Sequence, residues 1–202
     1  MTRYDPGVPD GGNDPFGWTQ DPSVVMVCTT FVERLSPTPI FEVLHAEQPN
    51  SRMSSTQLAI AVGDDREGIR VADIGSWALV IELESLVAVR DEILARHSRS
   101  RRRVVQVYRT GSGMESFGYW RDGESQCRFE PTNPARRTGR DPDVLVGEMR
   151  ASGIDPASAE MLPGYEMYTL AAEVIGVIAD TGVVVEAELE AGLVARRRRR
   201  VS

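Results

Sequence analysis

The stretch SFGYWRDGESQCRFEP, residues 116–131, decides the fold class. Asp122-Gly123 is a dipeptide suited to a two-residue primed turn, whose central positions need positive φ. Aromatic and alternating residues flank it on both sides, so it reads as an antiparallel hairpin with strands over 116–121 and 124–130. Upstream, RVVQVYRT supplies a further strand over Val104–Thr110, giving three in succession. The connection TGSGM between the first two is a glycine-rich turn. It lacks the G-x-G-x-x-G spacing and leads into a strand rather than a helix, so it is no dinucleotide fingerprint.

Two registers fit this hairpin. With a two-residue turn, Arg121 opposes Glu124; Trp120, Cys127 and Phe129 then share a core face. Phe117 and Tyr119 go to the other face, beside Arg121 and Arg128. With a three-residue loop ending in a Gly123 bulge, Phe117, Tyr119 and Cys127 share a face. Trp120 then lies among Glu124, Gln126 and Arg128. Either way a large aromatic stands on the polar face, covered by another element or presented to a ligand. Phe117, Tyr119, Trp120, Arg121 and Arg128 are therefore the candidate binding residues.

Working outward, SVVMVCTTF predicts a strand over Val24–Phe31, and SPTPIFEVLHAE a short helix from a Ser36 cap to Ala46, with His45 at its end. SRMSSTQLAIAVGDD fits helix and strand equally. GIRVADIGSWALVIELES reads as two strands joined at Gly75-Ser76. In the second, Trp77, Leu79, Ile81 and Leu83 share a face, and Ala78, Val80, Glu82 and Glu84 the other, read as its wet side. SLVAVRDEILARHS predicts an amphipathic helix capped by Ser85, with His97 at its end. Asp141-Pro142 reads as a further helix start, and the longest helix runs from Tyr165 to about Asp180, packed across the sheet. These elements predict an α+β fold: one domain over 24–182, an antiparallel sheet of about five or six strands, and helices mainly on one face. Residues 1–23, rich in Pro, Gly and Asp, read as a flexible arm, and 183–202 as a tail with an arginine-rich end.

Hydrophobic residues make up 41% and charged residues 26% of the 202, an ordinary globular balance. All 23 basic residues are arginine. Without a lysine amine the chain carries no Schiff-base, pyridoxal phosphate or Walker-type phosphate chemistry. The formal charge is −7, and without the five arginines Arg196–Arg200 the remainder stands at −12. Such an acidic body repels nucleic acid and anionic membranes. Two cysteines, Cys28 and Cys127, and two histidines do not make a structural zinc set. Both cysteines lie in strand-like contexts and read as buried free thiols in a reducing cytoplasm. No apolar run reaches membrane-spanning length, and no cofactor is implied.

Three functional readings follow. Arg136, Arg137 and Arg140, just ahead of the Asp141 helix start, are candidate anion binders. Glu82 and Glu84, two apart on a strand, with Asp141 or Asp143, are the carboxylates a metal-assisted hydrolase would use. Arg101–Arg103 and Arg196–Arg200 are the clusters a nucleic-acid binder would use. No nucleophile, base and orienting group assemble from the sequence, and no metal cluster does. The leading reading is a non-catalytic binding module, regulatory or immunity-like, whose partner is another protein.

VCTTFVERLSP, SWALVIELE and SFGYWRDGESQCRFEPTNPARRTGRDPDVLVGEMRASG together resemble an actinobacterial family catalogued only as a domain of unknown function. The resemblance spans about Val24 to Ala179. Where that family follows the middle strand with a glycine-and-aromatic loop, this chain runs ELESLVAVRDEIL. The resemblance implies the extent of the fold and no activity.

Overall fold

The Asp122-Gly123 turn takes φ of 54° and 84°, as a primed two-residue turn demands. Arg121 accordingly pairs with Glu124 and Trp120 with Ser125, but beyond them Tyr119 pairs with Cys127 and Phe117 with Phe129. Gln126 is the extra residue of a bulge. The turn is thus that of the first register, while the facing of Phe117, Tyr119 and Cys127 is that of the second.

The computed structural model describes residues 27–47, 52–63, 65–83, 85, 87–110, 115–160, 164–179 and 182–195. The expected N-terminal arm, Glu84 and Arg196–Arg200 lie outside them. The elements are β1 (Val27–Glu33), α1 (Pro37–Leu44), β2 (Arg52–Met53), α2 (Ser55–Val62), β3 (Arg66–Ile74), β4 (Trp77–Leu83) and α3 (Asp91–His97). They continue with β5 (Arg103–Arg109), β6 (Glu115–Arg121), β7 (Glu124–Phe129), α4 (Val146–Ala151), α5 (Gly164–Ile175), a π-helical turn (Gly182–Glu186) and β8 (Leu189–Ala195). All strands join one antiparallel sheet in the order β2-β8-β3-β4-β1-β5-β6-β7.

The fold is α+β with an antiparallel sheet, but with eight strands rather than five or six. The segment expected to begin a tail at 183 instead forms β8, an interior strand between β2 and β3. Its sequence LEAGLVA is rich in helix formers. The β3 edge offers unpaired backbone groups, and pairing with them outweighs local propensity.

Helices cover both faces, not mainly one. On one face Phe31, Leu79, Val105 and Phe117 pack under Met149 of α4 and Met167, Leu170 and Ile175 of α5. On the other, Val32, Val80, Val104 and Trp120 pack under Ile40 and Phe41 of α1 and Ile93 and Leu94 of α3. Ala78, Val80 and Glu82, read as the wet side of β4, are therefore buried.

Helix boundaries differ from the expectation in three places. Ser85 caps no helix, because its hydroxyl donates to Glu82 and Glu67, and α3 starts at Asp91. After Asp141 the chain makes turns before α4 begins at Val146. α5 ends at Ile175, with Gly176 at φ 75° just beyond it.

Both sheet edges are covered. Thr138 exchanges backbone hydrogen bonds with Arg128, and the Arg140 and Asp141 amides donate to Ser125 and Gln126 at 3.0 Å each, closing β7. This crossing needs Gly139, at φ 127°, because a Cβ there would strike the Gln126 carbonyl. On the far edge β2 pairs with the start of β8, and Glu47 bridges Leu193.

Candidate functional site

Where β6 begins and β7 ends, the face shared with α3 opens into a cleft of ≈ 740 Å³. Tyr108 of β5 and Ser116 of β6 are register partners on its floor, beside Arg128 and Glu130. Pro131 and Pro134 stop the strand, and two tight turns follow: the Asn133 amide donates to the Glu130 carbonyl and the Arg136 amide to the Asn133 carbonyl, at 3.0 Å each. This loop sets Asn133 and Arg136 along the wall.

Arg128 is held in place. Its Nη1 donates to both Asp91 carboxylate oxygens, at 2.8 and 3.0 Å, and its guanidinium lies 5.3 Å from the centre of the Trp120 ring. Trp120 in turn folds over Gly118, where any Cβ would collide with the ring. Arg136, by contrast, is exposed and has no ion-pair partner among the described residues.

The structure thus joins one member of each expected set, Arg128 and Arg136, in a single cleft. The rest are elsewhere. Phe117 and Tyr119 are core side chains, with Phe117 stacked on Phe129 at 5.2 Å between ring centres. Trp120 is 2% exposed, covered on the α3 side of the sheet and by Arg128. Of the two alternatives for the hairpin's aromatics, cover by another element is the one found, because both sheet faces carry helices. Arg121 stands at the opposite, turn end of the hairpin.

The expected arginine trio is also split. Arg137 is a structural staple: Nη1 donates to the carbonyls of Pro134 and Pro156, and Nη2 pairs with Asp143 at 2.6 Å. Arg140 pairs with Glu124. Only Arg136 of the three lines the cleft.

Several reactive side chains are enclosed, although His45, at the end of α1, is exposed. Glu82 is fully buried and accepts hydrogen bonds from the Ser85 hydroxyl (2.7 Å) and the amides of Val87 (2.6 Å) and Ala88 (2.9 Å). Burial raises its pKa, although those donors pull it back down. Beside it Gln106 donates to the Ala88 carbonyl at 3.1 Å and reaches Cys28 and Thr30. Burial, then the nearby Glu82 charge, raises the Cys28 thiol well above its ordinary value. Burial pushes Cys127 up to about 12, and both cysteines are free. His97 is buried, both ring nitrogens are unpartnered among the described residues, and burial with the Arg102 charge lowers it to about 4.

Of the carboxylates proposed for a hydrolase, those among the described residues do not converge. Glu82 sits on β4, while Asp141 and Asp143 follow β7, four strand spacings or roughly 19 Å across the sheet. Of the nucleic-acid cluster, Arg103 is committed to Glu33 at 2.9 Å and to the Trp77 ring, and Arg102 donates to the His97 carbonyl.

Tyr108, Ser116 and Asn133 were not singled out from the sequence. The Pro-bounded TNPA segment directly after a strand was a signal for Asn133, while strand alternation alone did not distinguish Tyr108 and Ser116. No curated protein and no solved structure matches the chain. Residues 13–199 do match a family model, extending through β8, and by that match the chain belongs to a family of unknown function (DUF6461).

Proposed function

We propose that the chain is a non-catalytic binding module, regulatory in role, that docks an acidic segment of a partner protein in the cleft beside β7. The observation that carries this reading is the meeting of Arg128 and Arg136 in one polar cleft, with Arg128 fixed by Asp91 and Arg136 uncommitted. A fixed cation and a free one, lined by hydroxyl and amide groups, suit a carboxylate-bearing segment. In a chain of net charge −7, the uncommitted Arg136 also biases how an acidic partner approaches. The enclosure of Glu82, Cys28, Cys127 and His97 in internal roles favours binding over chemistry. Two free buried thiols accord with a reducing, cytoplasmic setting.

The test is capture by the wild-type chain and by Arg136→Glu, followed by reconstitution with each purified protein whose recovery differs. At least one partner should bind the variant about tenfold more weakly while the melting temperature stays within about 1 °C, as expected for an exposed charge at an interface. If every recovered protein binds both forms equally, the cleft is not the docking surface.

A further inference from the structure

At the turn end of the same hairpin, about 17 Å from the cleft by strand rise, lies a second depression of ≈ 300 Å³. Three arginines from three separate segments line it: Arg101 from the turn after α3, Arg121 from the end of β6, and Arg140 from the crossing that seals β7. Asp122, Glu124 and Gln126 complete the lining. Backbone geometry directs this convergence. Ser100 and Arg101 both take positive φ, 60° and 61°, and the Arg101 amide donates to Asp122 Oδ1 at 3.3 Å. Gln126, the bulge residue, ties the turn together by donating to the carbonyls of Arg121 and Glu124.

The charges do not cancel. Glu124 is engaged by Arg140 and Asp122 by the Arg101 backbone, whereas the Arg101 and Arg121 side chains have no ion-pair partner among the described residues. Arg121 moreover lies directly across from Arg103, a like-charged cross-strand pair that ordinarily weakens a sheet. Glu33 and the Trp77 ring neutralise and cover Arg103, leaving Arg121 with its charge outward.

We propose that this depression is a seat for a phosphoryl dianion, carried as the terminal group of a small molecule. A terminal phosphoryl group presents three oxygens and about two negative charges, matching the uncommitted guanidiniums of Arg101 and Arg121 together with the N–H groups that Arg140 does not give to Glu124. The volume holds that group and a small substituent. With Asp122 and Glu124 also in the lining, three cations and two anions leave a single net positive charge, which suits one phosphoryl group rather than a continuous strand of phosphates. It is separate in space from the cleft and independent of what docks there.

The experiment is calorimetric titration of the full chain with inorganic phosphate, pyrophosphate and a ten-residue oligothymidylate at low salt, repeated for Arg121→Ala, Arg101→Ala and Arg136→Ala. Phosphate or pyrophosphate should bind, the first two substitutions should each weaken binding about tenfold or more, and Arg136→Ala should leave it unchanged. All the altered side chains are exposed, so folding is preserved, and an unchanged melting temperature checks this. Absence of binding by both phosphates overturns the proposal. Binding that survives loss of Arg121 and Arg101 overturns it too, as does binding of the oligonucleotide alone, which marks an extended strand track.

Discussion

Between the sheet and α5, aromatic and aliphatic side chains meet across β5 to β7 with little polar interruption: Phe117 on Phe129, Val105 and the methionines of α4 and α5, with Phe31 and Leu79 beside them. The buried Arg70 of β3 is a polar exception farther along this face. Between the sheet and α1, the packing is as tight but holds a polar seam, in which Thr30, Glu82, Gln106 and Ser85 bond to one another and to the 85–88 loop. The first layer is held by area removed from water, the second also by hydrogen bonds that must all be made. Truncation on the first face leaves a cavity, and truncation on the second leaves stranded donors.

The largest effect should come from the dry face. Phe117→Ala should cost about 4 kcal/mol in denaturant unfolding, by lost transfer energy and a cavity beneath α5. On the polar face Glu82→Ala should cost about 3 kcal/mol, because two amides and a hydroxyl lose their buried acceptor. Glu82→Gln should recover part of that cost, since its amide oxygen still accepts. Equal costs for the alanine and glutamine variants would make the seam a packing feature rather than a hydrogen-bonded one.

A third measurement uses pH. His97, on α3, has a folded pKa of about 4 against an ordinary 6.5. Above pH 6.5 the ring is neutral folded or unfolded. As pH falls below 6.5, the unfolded chain takes up a proton that the folded chain refuses, so stability present above 6.5 is lost and the loss levels off near 4. The wild type should lose on the order of 3 kcal/mol more than His97→Leu over that window. Parallel stability curves for the two proteins would show that the folded state lets the ring protonate freely.

Smaller effects sharpen the same contrast. Gly118→Ala should cost about 2 kcal/mol by pushing the Trp120 ring off its strand, seen as a change in tryptophan fluorescence. Asp91→Ala, which frees Arg128 at a largely exposed pair, should cost less than about 1 kcal/mol.

Much of the dry face was legible in the sequence. The alternation of Trp77, Leu79 and Ile81, the Asp122-Gly123 turn and the apolar residues of α5 each point to it through local periodicity. The polar seam was not legible, because Glu82 reads as an outward carboxylate until the chain at Ser85, Val87 and Ala88 is known to fold back over it. β8 was hidden by its helix-forming composition, and α2 was left ambiguous although Ser54 and Gln57 form a capping box. The candidate site was legible only in fragments: Arg128 and Arg136 were marked separately, and their meeting depends on the path of the 131–138 loop around the β7 edge.

Arg70 carries a consequence for how the chain is made. Its guanidinium is wholly enclosed, reaches the carbonyls of Val184 and Ala187, and is lowered to about 10 by burial. Those acceptors lie 114 and 117 residues further along the chain, and β2 has no strand to join until β8 arrives. The nascent polypeptide therefore emerges with a cation awaiting its cage and a sheet margin awaiting its neighbour. Completion of this half of the sheet waits on contacts more than a hundred residues apart, which close late and leave the β3 edge open to wrong pairing in the interval.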